Sequence, residues 1–312
     1  QNEPALFGPG EVFHWDAKDQ RSATGTTQLQ SHTFSTQNPT AAALSYDTSG
    51  PVPYYVVTFD PGSFLDPATV TTDGYSYGSA DNRLAQVAEA GGHTRAFTYD
   101  ASGNVIYDNR SGGGYGYAYD AAGRMATFSI NGVVQANYRY NAEGQQVVRE
   151  LTQTGEIIHA VHDMEGNRIA EYLYDDTTGA STLIRQYIWM DGRAVAVVEG
   201  GQIFFIRTDH IGRPVFATND LGAKVWEASY LPFGGVHVAT GGIALRFPGQ
   251  WFQAESGLYQ NWMRDYDPTT GRYLEADPLG LVDGASIYGY ARQNPGRWVD
   301  PKGEQLYEVV AG

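Results

Sequence analysis

Residues 94–104 read Thr-Arg-Ala-Phe-Thr-Tyr-Asp-Ala-Ser-Gly-Asn, and the reading of this stretch decides the fold. Its closing Tyr99-Asp100-x-x-Gly103-Asn104 recurs as Tyr119-Asp120-x-x-Gly123-Arg124, Tyr140-Asn141-x-x-Gly144-Gln145 and His162-Asp163-x-x-Gly166-Asn167, with glycines 20, 21 and 22 residues apart. Self-similarity at such a period marks a stacked repeat. Asp at the first corner can accept a backbone N–H two residues on, and Gly at the last corner supplies the positive φ that side chains resist. Arg95 to Tyr99 alternates in character, as a strand with two different faces does. Between copies lies a second turn, clearest at Asn131-Gly132, a pair suited to a type I′ hairpin. Each repeat is then two antiparallel strands, and stacked repeats make a continuous strip.

Looser copies stand at Tyr174-Asp175, Met190-Asp191-Gly192-Arg193, Asp209-His210-Ile211-Gly212-Arg213 and Asp220-Leu221-Gly222, with a degenerate early one at Tyr46-Asp47-Thr48-Ser49-Gly50. A strip of roughly 20–24 strands at ~4.8 Å would run ~100–115 Å and close into a ring only ~35 Å across. That is one turn of wall, so the chain reads as the terminal segment of a longer wall. Such a sheet cannot bury both faces by itself, and its end strands need cover.

Composition agrees. Of 312 residues, 38 are Gly and 22 Tyr but only 4 Met, which favours strands and tight turns over helices. No apolar run approaches the ~18 residues of a membrane-spanning helix. A net charge of −15 argues against a nucleic-acid surface. With no cysteine, disulfides and thiolate metal sites are excluded. The first residue is Gln1 with no basic-then-apolar segment behind it, so the expectation is a mature product or a fragment whose export signal lies elsewhere. Residues 1–70, rich in Thr, Ser, Gln and Pro with Phe7-Gly8-Pro9-Gly10, read either as diverged strands or as a capping segment.

From Thr208 the wording tightens: Thr208-Asp209-His210-Ile211-Gly212-Arg213-Pro214, Val225-Trp226-Glu227-Ala228-Ser229-Tyr230, Pro232-Phe233-Gly234, Phe247-Pro248-Gly249-Gln250 and Glu255-Ser256-Gly257-Leu258-Tyr259 follow in order. From Leu258 to Gly303 the chain packs three Asp-Pro turns and five tyrosines. These motifs resemble the YD repeats and closing core domain of Rhs proteins, the YD-repeat polymorphic toxins, and the C components of insecticidal toxin complexes; the repeats are also similar to those of teneurin-like proteins. The resemblance covers roughly residues 75–303. It implies an all-β fold: a YD-repeat antiparallel β-strip curling into a shell or ring, closed by the Rhs core domain. The implied divisions are 1–74, a diverged or capping β segment; 75–245, the strip; 246–303, the core domain; and 304–312, a tail beyond the cleavage position.

The resemblance also implies chemistry. Asp277 in Asp277-Pro278-Leu279-Gly280 and Asp300 in Asp300-Pro301-Lys302-Gly303 lie 23 residues apart, matching the pair that makes the family's core an intramolecular aspartic protease. Arg264, 13 residues before Asp277, stands where the family places a supporting arginine. Two carboxyls brought close cannot both ionise, so one takes a proton from water while the other polarises the scissile carbonyl. The implied cut falls after Glu304, where the family usually has an apolar residue. Against this, Asp-Pro-x-Gly is also what a type I turn asks for, and Asp267-Pro268-Thr269-Thr270-Gly271 makes a turn with no catalytic claim.

Other matches fail on context. Gly74-Tyr75-Ser76-Tyr77-Gly78 fits a nucleophile elbow, but strands follow where that motif needs a helix. Gly112-Gly113-Gly114-Tyr115-Gly116 reads as a flexible hairpin loop, not a phosphate cradle. Seven scattered histidines show no metal-ligand spacing, and nothing asks for a cofactor. Asp209-His210 falls at a repeat turn. Asn109-Arg110-Ser111 is a formal glycosylation sequon. Phe97/Tyr99 and Tyr117/Tyr119 could form a sugar-binding stripe, though such rows more often pack the inner face of a wall.

Three functions compete. The first is a shell segment that guards the protein's own C-terminal toxin, with or without a second shell subunit, and frees it by self-cleavage; such a chain is secreted or delivered by a secretion system. The second is a non-enzymatic surface or adhesion module that binds glycans. The third, an ordinary hydrolase or lyase working in a cleft, has least in the sequence to recommend it.

Overall fold

In the computed structural model the described residues are 73–78, 82–89, 91–240, 242–282, 284 and 286–309, together with three strands further upstream. The chain divides into two compact units, Gln1–Thr72 and Asp73–Gly312. The first carries three antiparallel strands, Leu29–Phe34, Ala42–Asp47 and Tyr54–Phe59. Tyr46 and Asp47 of the early repeat copy end the second of these; Thr48–Gly50 and the Phe7–Gly10 motif lie outside the described residues.

The second unit is built on a 16-stranded antiparallel sheet running from Gly74–Tyr77 to Val236–Thr240, each strand paired with its neighbours in sequence. Its order is linear: among the described residues the first and last strands do not pair, so the strip curls without closing into a ring. Sixteen strands span roughly 70–75 Å at ~4.8 Å each. The only helical element among the described residues is the three-residue turn Ala291–Gln293.

The repeat turns are as their chemistry demands. In the first, Asp100 Oδ1 accepts the Asn104 N–H at 2.8 Å, and the Gly103 N–H bonds the Asp100 carbonyl at 3.2 Å. Asp120, Asn141, Asp163 and Asp209 each accept two backbone N–H groups in the same way. In the later copy at residues 219–222 the capping residue is Asn219, one position before the Asp220 that the sequence suggested. Asn131 and Gly132, with φ of 50° and 78°, make the expected primed hairpin. Gly113–Gly116, expected as a flexible loop, are instead strand, and Gly114 leaves room for the Tyr107 ring. Four tyrosines that stand just before repeat turns tie neighbouring strands together. Tyr99, Tyr119, Tyr140 and Tyr230 each donate from the hydroxyl to the carbonyl of the preceding strand's first residue, at 2.7–2.9 Å.

One face of the strip is covered by a four-stranded antiparallel sheet, Trp251–Gln253, Leu258–Asn261, Arg264–Asp267 and Arg272–Tyr273, the core sheet. Leu258 and Leu274 pack among strip residues Phe97, Val105, Tyr117, Met125, Phe128 and Tyr138. Phe97 and Tyr117 are thus interior rings, with Tyr99 and Tyr119 packed against them. Buried charge adds register. Asp267 accepts from Arg95 at 2.6 Å and Arg110 at 3.0 Å, and both arginines also hold Asp108. Burial alone would raise the Asp267 carboxyl, but the Arg110 and Arg95 guanidiniums win and hold it well below the usual range. The hairpin tip Trp262-Met263 enters the strip's turns: the Trp262 indole donates to the Glu143 carbonyl at 2.8 Å and lies against Gly166, while Met263 lies against Gly144. Trp262 adopts φ +52° to do so.

Two predictions follow from this packing. Gly166→Ala would put a methyl 1.9 Å from the Trp262 ring at φ +92°. Gly123→Ala meets nothing within 4 Å and bears only its φ of +78°. Urea titration should therefore show a loss of about 1–2 kcal/mol for Gly123→Ala and clearly more for Gly166→Ala. Asp267→Asn leaves Arg95 and Arg110 to share the single carboxylate of Asp108 and should cost about 3–5 kcal/mol. Because the carboxyl is held low, its contribution is present above about pH 4 and lost as pH falls further. The Asn variant should lack that acid limb in pH-dependent melts.

Candidate functional site

The three residues singled out for chemistry meet at one place, although they come from three separate segments of the chain. Arg264 opens the third core strand, Asp277 heads the turn closed by Gly280, and Asp300 follows the strand Trp298–Val299. Arg264 Nη2 lies 2.8 Å from Asp277 Oδ2 and 3.1 Å from Asp300 Oδ2. The two carboxylates therefore share a single nitrogen. All three side chains are out of solvent, Asp277 being the most accessible at 6%. The shared guanidinium offsets the repulsion between adjacent carboxylates.

The rest of the arginine is equally committed. Its Nε donates to the Gly303 carbonyl at 2.5 Å, and its plane sits 3.8 Å from the Tyr273 ring centroid. Tyr273 donates from its hydroxyl to Asp300 Oδ2 at 2.8 Å, and Asn261 Nδ2 donates to both the Tyr273 hydroxyl and the Asp300 carbonyl. Asp300 Oδ1 accepts the Glu304 N–H at 3.0 Å. The peptide joining Gly303 to Glu304 is thus gripped at both ends, carbonyl by Arg264 and amide by Asp300. That bond is one residue before the position implied by the resemblance. Gly303 has no room for a side chain there, since a Cβ would lie 2.4 Å from the Asn261 carbonyl oxygen.

Both Asp-Pro motifs are also turns. Asp277 Oδ1 accepts the Leu279 N–H at 2.8 Å, so turn capping and membership of the trio coexist in one carboxylate. The chain beyond Glu304 folds back, with Tyr307–Glu308 pairing with Trp298–Val299. Tyr273 and Asn261 went unnoticed in the sequence because neither belongs to a motif. The turn at Ala291–Gln293 was equally silent: all three residues have φ between 48° and 58°, left-handed backbone that side chains resist. It steers the chain from Tyr290, buried among Tyr266, Tyr273 and Phe247, toward Asp300.

The remaining candidates have structural roles. Ser76 lies on an edge strand followed by another strand. His210 Nε2 is 2.9 Å from the Gly296 carbonyl oxygen, and Asn109 Oδ1 accepts the Ala96 N–H at 2.6 Å. Among the described residues no three His, Asp or Glu are grouped to hold a metal.

Residues 112–288 match the teneurin YD-shell family model. Double-stranded DNA deaminase toxin A of Burkholderia cenocepacia is 28% identical over 78% of this chain and 18% of its own length. Toxin protein Tse5 of Pseudomonas aeruginosa is 28% identical over 75% of this chain and 20% of its own. Probable deoxyribonuclease RhsA of Dickeya dadantii is 30% identical over 66% and 15%. The chain spans a fifth or less of the length of these relatives. Among solved structures, the Tc holotoxin pore of Photorhabdus luminescens aligns over 89% of this chain and 13% of its own, at 16% identity and a TM-score of 0.45. With more than half its residues matched and the strand–turn repeat in place, the chain belongs to the teneurin YD-shell family.

Proposed function

We propose that this chain is the closing stretch of a shell wall that encloses a toxic cargo and frees it by an intramolecular aspartyl cleavage. The observation that carries the cleavage is the double grip on one peptide. Arg264 holds the Gly303 carbonyl through Nε and both carboxylates through Nη2, while Asp300 holds the Glu304 amide. The cargo reading is supported by the toxin names of relatives several times longer than this chain. A shell of that kind leaves the producing cell by secretion or by a delivery system.

In this reading Asp277, the more accessible acid, draws a proton from a water that attacks the Gly303 carbonyl carbon. Charge developing on the carbonyl oxygen is met by the Arg264 Nε–H. The proton then passes to the Glu304 nitrogen as the C–N bond breaks, leaving an acid at Gly303 and an amine at Glu304. Asp300 and Tyr273 keep the arginine and the peptide in place throughout.

The test is the intact mass of the full-length gene product over time. Cleavage should be independent of concentration and give a fragment ending at Gly303; an end at Glu304 would move the scissile bond one residue on while keeping the trio. Asp277→Asn and Asp300→Asn should each slow cleavage at least about 100-fold. Arg264→Lys, which keeps the charge but not the fork, should slow it as well. A wild-type chain that stays whole, or an Asp277→Asn chain cut at the wild-type rate, overturns the cleavage and leaves the wall.

A further inference from the structure

A second pair of acids lies on the same two chain segments, and the proposed chemistry does not use it. Asp265 follows Arg264, and Glu275 precedes Asp277 by two residues. Strand alternation turns Arg264 and Asp265 to opposite faces, so the trio occupies one side of the core sheet and this pair faces the strip. Both are buried, at 3% and 2% exposure. Glu275 Oε2 accepts the Asp265 N–H at 2.7 Å, while Asp265 Oδ1 and Glu275 Oε1 have no hydrogen-bond partner. Neither makes an ion pair among the described residues, because Arg264 is committed to Asp277 and Asp300.

Arg264, shared by Asp277 and Asp300, is a cation whose charge reaches Glu275, and it does not offset burial and the charge of Asp265. From the strip come Tyr119 and Tyr140, whose hydroxyls donate to the Val105 and Met125 carbonyls, and Tyr138, which donates to Glu255. Glu255 is a further negative charge, although Arg149 pairs with it at 2.9 Å. Asp100 and Asp120 lie at the nearer strip turns, where they cap backbone N–H groups. Two carboxyls so placed cannot both ionise at ordinary cost.

We propose that Asp265 and Glu275 form a proton-held clasp, seating the core sheet against the strip while a proton is retained between them and loosening that seam when rising pH removes it. Burial, followed by the Glu255 charge, pushes the Asp265 carboxyl up to about 7. Burial and the charge of Asp265 push Glu275 well above the carboxylate range. A native state that keeps a proton the unfolded chain sheds near pH 4 is most favoured at low pH and loses that advantage as pH climbs through the raised values. The seam has its own reporter: the Val105 N–H of the strip donates to the Leu274 carbonyl at 2.9 Å, one residue before Glu275.

The experiment uses the full chain across about pH 5 to 9. Infrared spectra of the wild type should show a protonated-carboxyl band at neutral pH that fades as pH rises and is reduced in Asp265→Asn and in Glu275→Gln. The melting temperature should fall by at least about 4 °C over that range. The double variant Asp265→Asn/Glu275→Gln should show little of that fall. Val105 amide exchange in the wild type should accelerate beyond the intrinsic base-catalysed rise. Absence of the infrared band at neutral pH overturns the proposal even if no variant folds, as does a double variant that keeps the wild-type pH slope. None of these readouts depends on cleavage, so the clasp and the proposed protease can fail separately.

Discussion

The unit rests on buried charge shared between two sheets that lie far apart in sequence. Asp267 of the core sheet sits between Arg95 and Arg110 of the strip, and Glu255 meets Arg149 and Tyr138. A strip whose strands pair only with sequence neighbours can form locally, but it leaves one face unburied. The charged residues that cover it arrive 106 to 172 positions after their partners on the strip and must arrive in register. Apolar contacts such as Leu258 and Leu274 against Met125 and Phe128 are tolerant of small shifts. A carboxylate between two guanidiniums is not, because a displaced partner leaves a buried charge unmet.

That registration places the chemistry. The core strand that ends in Asp267 begins at Arg264, so anchoring one end to the strip orients the guanidinium that gathers Asp277, Asp300 and the Gly303 carbonyl. The hairpin tip between Asn261 and Arg264 is fixed too, with Trp262 lodged against glycines that exist for the repeat turns. One glycine thus serves two ends: it closes an acidic turn and leaves space for a ring from the core. The positive φ at Trp262 is sustained by that docking.

The same core strand carries opposite electrostatic designs on its two faces. On one, Arg264 neutralises two acids and holds a peptide. On the other, Asp265 and Glu275 make no ion pair among the described residues, and the proposed clasp holds a proton there. Both depend on exclusion of water, and the first residues of the trio and the pair are adjacent in sequence. The tyrosine cluster of Tyr259, Tyr266, Tyr273 and Tyr290 lies behind them, and Tyr273 passes a hydroxyl from that cluster to Asp300.

The amino-acid sequence alone determined the all-β class, the strand–turn period and the family, because each rests on local rules: an acid or amide that caps a turn, a glycine that takes positive φ, and a fixed spacing between them. Even there it slipped by one residue at Asn219, where Asn and Asp stand side by side and either can cap, and at Gly113–Gly116, where pairing with the adjacent strand overrode loop-like composition. It pointed to Arg264, Asp277 and Asp300 through matched spacing, yet it was silent on Tyr273, Asn261 and the left-handed turn at Ala291–Gln293. It was silent also on Asp265 and Glu275, which look like any exposed acids. Only the tertiary structure decided these, since a side chain's partners and its burial depend on which distant segment packs against it, and local pattern carries no record of that.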